Sequence, residues 1–289
     1  MQIENTVLRV KAKTLGAELV SIYDKRDHTE HLWQANPTFW AAHAPVLFPI
    51  VGRSYNDSLL FNGKKYSMEK HGFARRNEFQ LLAQTDTSIT FELCSTVQLE
   101  AMYPFNFSFK ITYSLNGNTL TTNYTVENKG VETMPFALGA HPAFAVPFFE
   151  NEAYTDYSIV FPDDSVLNRH HINTDGFFDG RMSVVKTTNS AIALHSELFA
   201  EDALIFKDLR SKEVIINSKK HNKRLRVKFN DFPYLGIWAK PGANYVCVEP
   251  WIGCADAVGF SGAFTEKERI VLLENGTAFK VKWDVVFEL

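Results

Sequence analysis

Hydrophobic and polar residues alternate with a period of two in the most legible parts of this chain. Phe107, Phe109, Ile111, Tyr113 and Leu115 are separated by Ser108, Lys110, Thr112 and Ser114, the pattern of a strand with one face buried. Asn116-Gly117 follows, a dipeptide suited to the positive φ of a tight hairpin turn, and Leu120, Thr122, Tyr124 and Val126 alternate on the way back. Asn62-Gly63 predicts a second turn. Asn275-Gly276 predicts a third, ahead of Phe279, Val281, Trp283, Val285 and Phe287, so the chain is expected to close on a strand. Further strands are predicted over 89–93, 184–187, 214–217, 225–229 and 245–248. Helical periodicity is scarce: 36–44 and 196–206 predict short helices, too short to serve as crossovers in repeated βαβ units. The expectation is an all-β fold, a large antiparallel β-sandwich with a few short helices. No Ser/Gly-rich linker, charge run or fixed-period repeat interrupts residues 1–289, which are expected to form a single domain.

Composition sharpens this picture in two respects. Aromatics are abundant, with 24 Phe, 10 Tyr and 5 Trp, which suits a pleated surface. Charge is balanced, 30 Lys and Arg against 33 Asp and Glu. No basic field is available for a phosphate backbone or an anionic lipid surface, so neither nucleic acid nor membrane is expected as a partner. Cys94, Cys247 and Cys254 form no CxxC pair, which predicts neither a disulfide framework nor a cysteine-rich metal site and fits a reducing cytoplasm. The first residues lack the apolar stretch of a secretion signal, and no run approaches the roughly 20 apolar residues of a membrane span.

Four segments read unlike scaffold. They are Phe48-Pro49-Ile50-Val51-Gly52-Arg53, Lys70-His71-Gly72-Phe73-Ala74-Arg75, Gly139-Ala140-His141-Pro142-Ala143-Phe144 and Tyr245-Val246-Cys247-Val248-Glu249-Pro250-Trp251. In the last, an apolar strand is expected to end on a carboxylate held extended by the following proline. So little polar company predicts a raised pKa, because desolvation disfavours the charged form. A general base working near neutral pH has that property. Ordinary roles stay open for each residue: Glu249 facing solvent, His141 and His71 bonded in turns, Arg53 and Arg75 in surface ion pairs. HExxH, DxDxDG, GxxxxGK[ST], GxGxxG and GxSxG are all absent. The neighbours His170 and His171 would face opposite sides of a strand, so no metal site is expected. Cys247, between Val246 and Val248, reads as core packing.

In this order, Arg53, His71, His141 and Glu249 resemble the aldose 1-epimerase (galactose mutarotase-like) family, with HGFARRNEF, GAHPAF and VEPWIG closest in form to its LacX-like branch. The resemblance implies the antiparallel supersandwich expected from the alternation, and interconversion of the α and β anomers of a hexose without a cofactor. It implies that Glu249 is the general base on the anomeric hydroxyl and that His141 is the acid that protonates the ring oxygen. His71 and Arg53 would bind and orient the sugar, and Asp202 falls where the family often has a sugar-binding aspartate. HGFAR also resembles hexose-6-phosphate epimerases, in which Arg75 or Arg76 with Arg53 would hold a phosphate. The expected partner is a small sugar or sugar phosphate, on a cytoplasmic monomer or homodimer. Two readings from other classes stay open: a non-catalytic sugar-binding module, and a glycoside hydrolase using Asp202 and Glu249, which needs carboxyl groups roughly 5–10 Å apart. Trp40, Phe48, Phe144, Trp238 and Trp251 are candidates to stack on the sugar ring.

Overall fold

The computed structural model describes residues 1–288. Two large antiparallel sheets dominate it. One has nine strands, in the order Ala191–Ala193, Tyr157–Val160, Glu213–Ser218, Arg224–Lys228, Ala278–Glu288, Thr119–Asn128, Phe107–Asn116, Ser88–Cys94 and Gln80–Gln84. The other has eight. Its path runs Phe178–Val185, Leu167–Ile172, Leu204–Phe206, Tyr234–Trp238, Tyr245–Ile252, Leu138–Ala140 and Val46–Leu47, and Ala143–Ala145 also pairs with the Tyr245–Ile252 strand. A four-stranded sheet from the first thirty residues, the hairpin of Ser58–Phe61 with Lys64–Ser67, and the pairing of Met134–Phe136 with Val271–Leu273 complete the β structure. Among the described residues the one α-helix, Val97–Glu100, is a single turn whose N-terminus is capped by Thr96, and no helix is long and apolar enough to cross a membrane.

The alternation read from sequence maps onto burial. In Thr119–Asn128 every second side chain is buried, and Val281, Val285 and Phe287 point inward on the last strand. The inward faces of the two sheets meet through aromatic rings. Phe48 stacks on Phe109 with centroids 4.7 Å apart, and Phe161 meets Phe206 edge-on at 5.4 Å. Such pairs add to the stabilisation that comes from burying their area.

Three local expectations are corrected. Asn116 is the last paired residue of its strand, opposite Thr119, so the hairpin turns on Gly117-Asn118 with the positive φ at Gly117. The Asn62-Gly63 hairpin, by contrast, carries both residues at positive φ, as a type I′ turn requires. Residues 36–44 form turns rather than a helix, and of 196–206 only Ser196–Phe199 is helical, as a short 3₁₀ turn. The strand expected to end at Glu249 instead runs through Pro250 to Ile252 with all eight residues buried. Both faces of that strand are covered, which is why it carries no polar alternation.

His31 is buried beneath Phe148 and Phe287, and neither ring nitrogen has a hydrogen-bond partner. Burial, reinforced by the Lys223 charge, pulls its pKa from 6.5 to about 3. The unfolded chain therefore takes up a proton below pH 6.5 that the folded chain refuses, and stability falls from there toward pH 3. At pH 5 this one group accounts for about 2 kcal/mol. His31→Leu is expected to flatten the loss of denaturant midpoint between pH 7 and pH 5 relative to wild type; parallel curves would contradict this.

Candidate active site

Glu249 lies at the centre of the eight-stranded sheet, opposite Gly236 on one side. On the other side the neighbouring strand is interrupted. Gly139 pairs with Trp251 before the break and Ala143 with Cys247 after it, in one continuous register, so His141 falls directly across from Glu249. The break at His141-Pro142 releases the histidine from the ladder, and the Pro142 carbonyl still accepts the Val248 N–H at 3.2 Å. His141 Nε2 stands 3.2 Å from Glu249 Oε2. A backbone interruption in one strand thus brings the two groups together.

Small residues beside this pair make room for a large one. A Cβ on Gly236 would approach the Trp251 ring to 2.6 Å, and one on Gly139 would approach it to 2.8 Å. The indole therefore lies across both flanking strands. Its Nε1 is buried without a hydrogen-bond partner among the described residues.

The pair opens into a cavity of about 780 Å³, lined among others by Trp40, Lys70, His71, Arg75, Asp202, Trp238 and Trp251, within the usual size range of small-molecule sites. Trp40 stacks on the His141 ring at 5.0 Å, while Trp238 and His71 meet it edge-on at 5.9 and 5.8 Å. His71 and Gly72 are both at positive φ. A Cβ on Gly72 would collide with the Phe48 carbonyl oxygen, at 2.2 Å, so only glycine fits this turn. The Gly52 N–H donates to His71 Nδ1 at 3.1 Å. That bond leaves Nε2 as the protonated nitrogen of the neutral ring.

Burial governs the electrostatics. It pushes Glu249 well above the ordinary carboxylate range, with the Asp202 charge adding to the shift and Lys70 opposing it. Burial pulls His141 down to about 3 and His71 well below its usual value. Both shifts at the central pair favour neutral forms: a protonated carboxyl beside a neutral imidazole. His141, Cys247 and Glu249 are also the residues that could together hold a cation, their donor atoms lying within 4.8 Å of one another. Burial and the Glu249 charge raise the Cys247 thiol well above its usual pKa, against the deprotonation that metal ligation needs.

Of the residues singled out from sequence, Glu249, His141, His71, Asp202 and Arg75 line this one cavity. Arg53 does not. Its guanidinium forms a bidentate pair with Asp57, at 2.7 Å to each oxygen, and donates to the Asp175 carbonyl at 3.0 Å. It ties the cavity-lining Gly52 to the loop between Thr174 and Gly176. Arg76 pairs with Glu69 and, unlike Arg75, is not among the residues lining the cavity. Phe48 and Phe144 are core residues, fully buried, whereas Trp40, Trp238 and Trp251 line the cavity. Lys70, Arg181 and Lys240 were not expected there. The only sequence signal for Lys70 is its place beside His71.

A model of the aldose 1-epimerase family matches residues 1–275. The plasmid-encoded protein LacX of Lactococcus lactis subsp. lactis is 33% identical over 99% of this chain and 98% of its own length. Two crystal structures superpose over the whole chain. A galactose mutarotase related enzyme from Lactobacillus acidophilus is 37% identical with a TM-score of 0.94, and 97% of it is covered. A galactose mutarotase-like protein from Lactobacillus casei is 31% identical with a TM-score of 0.93, and 99% of it is covered. With the family model, sequence similarity and fold in agreement, the chain belongs to the aldose 1-epimerase family.

Proposed function

We propose that the protein interconverts the α and β anomers of a hexose by opening and reclosing the ring, with Glu249 and His141 moving the two protons. The observation that carries this reading is the buried His141–Glu249 pair, 3.2 Å apart at the floor of the cavity. Ring opening removes a proton from the anomeric hydroxyl and delivers one to the ring oxygen. If Glu249 accepts the first and His141 supplies the second, the pair passes from an ion pair to its neutral form. Rotation about C1–C2 exposes the other face of the carbonyl, and reclosure returns both protons. One proton shared by the pair therefore serves the whole cycle, and only its position changes.

Burial favours the neutral end of that cycle in the empty site. His71, with Nε2–H available, and Asp202 are the proposed hydrogen-bonding partners of the sugar hydroxyls, and Trp40 and Trp238 confine the His141 ring. A pure sugar-binding module has no use for a desolvated acid/base pair. Glu249→Gln separates the two readings: it is expected to lower kcat for anomer exchange by about 10²–10⁴-fold with sugar affinity kept within a few-fold. Equal turnover by mutant and wild type, followed by NMR exchange at equilibrium, would remove the catalytic assignment.

The pH dependence follows from the same shifts. The singly protonated pair is the active form. A second proton binds it only near the depressed pKa of His141, about 3, so kcat/KM is expected to stay level between about pH 7 and pH 5, where an ordinary histidine would titrate. Activity is lost on the alkaline side, when the raised Glu249 pKa is passed and the shared proton leaves. A tenfold loss between pH 7 and pH 5 in a buffer series would refute this.

A phosphorylated hexose is the second reading, and one observation favours it. Lys70 and Arg75 line the same cavity; Arg75 Nη2 donates to the Lys70 carbonyl at 2.8 Å and stands 4.0 Å from Glu69 Oε2, while its buried Nε has no partner among the described residues. Arg75 thus keeps donor capacity for an anionic substituent. Arg75→Met is expected to lower kcat/KM for glucose 6-phosphate or galactose 6-phosphate by about 10–100-fold, and for the free sugars much less. Equal losses on both classes would exclude a phosphate subsite.

A further inference from the structure

Arg169, on the strand Leu167–Ile172, is 7% exposed, and its hydrogen bonds go to backbone carbonyls alone. Nε donates to the Ala203 carbonyl at 3.2 Å, and Nη2 donates to the Asp202 carbonyl at 3.2 Å and to that of Glu201. Sequestering a guanidinium without a directly paired carboxylate is costly. Burial lowers the Arg169 pKa, with the Glu201 and Asp202 charges only partly offsetting it. A fold bears such a cost where the group does something an apolar side chain cannot.

The three carbonyls belong to consecutive residues, and the middle one is unusual. Asp202 has φ +72, the left-handed region that non-glycine residues seldom occupy. Its carboxylate also accepts the N–H of Ala203 at 2.7 Å. This turn links the 3₁₀ helix Ser196–Phe199 to the strand Leu204–Phe206, and Phe199 through Ala203 all line the cavity. With its carbonyls unsatisfied, the turn could relax toward ordinary backbone angles and carry the Asp202 carboxylate away from Glu249, on which its charge now acts.

We propose that Arg169 is a positioning residue: its guanidinium clamps the 201–203 turn so that the Asp202 carboxylate faces the bound sugar. This rests on the reading above that Asp202 binds sugar hydroxyls. The planar fork is what the role requires, because one group must reach three carbonyls spread along a turn. A lysine ammonium is a point donor on a flexible stem and satisfies fewer of them.

The test compares Asp202→Asn, Arg169→Met, Arg169→Lys and the double variant Arg169→Met/Asp202→Asn. kcat and KM are measured with glucose, galactose and their 6-phosphates, and Kd is measured by saturation-transfer NMR, which needs no turnover. Asp202→Asn and Arg169→Met are each expected to raise KM and Kd about tenfold while kcat changes by less than about threefold. Arg169→Lys should fall between wild type and Arg169→Met. The double variant should bind no worse than Asp202→Asn alone, since both act through one carboxylate. If Asp202→Asn weakens binding and neither Arg169 variant does, the clamp is overturned and the role of Asp202 stands. If Asp202→Asn leaves Kd unchanged, the Asp202 reading fails and the clamp with it. Should Arg169→Met not fold, Arg169→Lys decides: binding equal to wild type overturns the proposal, and weakened binding that Asp202→Asn does not deepen supports it.

Discussion

The contact on which the rest depends is between a carboxyl group and an imidazole, both withdrawn from water. Glu249 is mid-strand in a fully buried strand, and His141 faces it across a gap in the neighbouring strand, with Nε2 3.2 Å from the carboxylate. Either group alone at that depth would be a penalty to the fold. Burial shifts both toward their uncharged forms, a protonated carboxyl and a neutral imidazole. The sheet supplies the precision: paired residues on each side of the gap fix the register, so the two side chains meet without a loop having to find its place.

Much of the surrounding architecture serves that contact. Gly139 and Gly236 leave room for the Trp251 indole, and the Gly72 turn brings His71 edge-on to His141. Trp40 and Trp238 close over the imidazole. Cations and carboxylates both line the cavity: Lys70 and Arg75 come from the segment around His71, Glu201 and Asp202 from the turn that Arg169 holds. A polar ligand with an uneven charge distribution suits such a cavity better than an apolar one does.

Strands with one solvated face were legible in the sequence, because water on one side imposes the period of two. Phe107–Asn116, Thr119–Asn128 and the final strand are of this kind. Tyr245–Ile252 was legible only in part: with both faces covered it shows no alternation, and Pro250 looked like an end. Gln80–Gln84 escaped notice for the opposite reason, as an edge strand with every residue exposed. Glu249 and His141 stand out in the sequence because a polar residue is rare in their surroundings, and the structure places both at the one cavity. Arg53 stands beside the cavity rather than in its lining, a difference that sequence does not carry. Arg169 gave no signal, since its role depends on three carbonyls that the chain brings together only on folding.

We propose that the His141–Glu249 pair holds a single proton in a dry site, its carboxyl kept protonated because burial disfavours the charge. Infrared difference spectroscopy of wild type against Glu249→Gln at about pH 7 tests this directly. Wild type is expected to carry a protonated carboxyl stretch that the variant lacks. A ¹⁵N NMR signal from His141 typical of a neutral ring is also expected. An ionised Glu249 carboxylate beside a doubly protonated His141 in the sugar-free protein would contradict it.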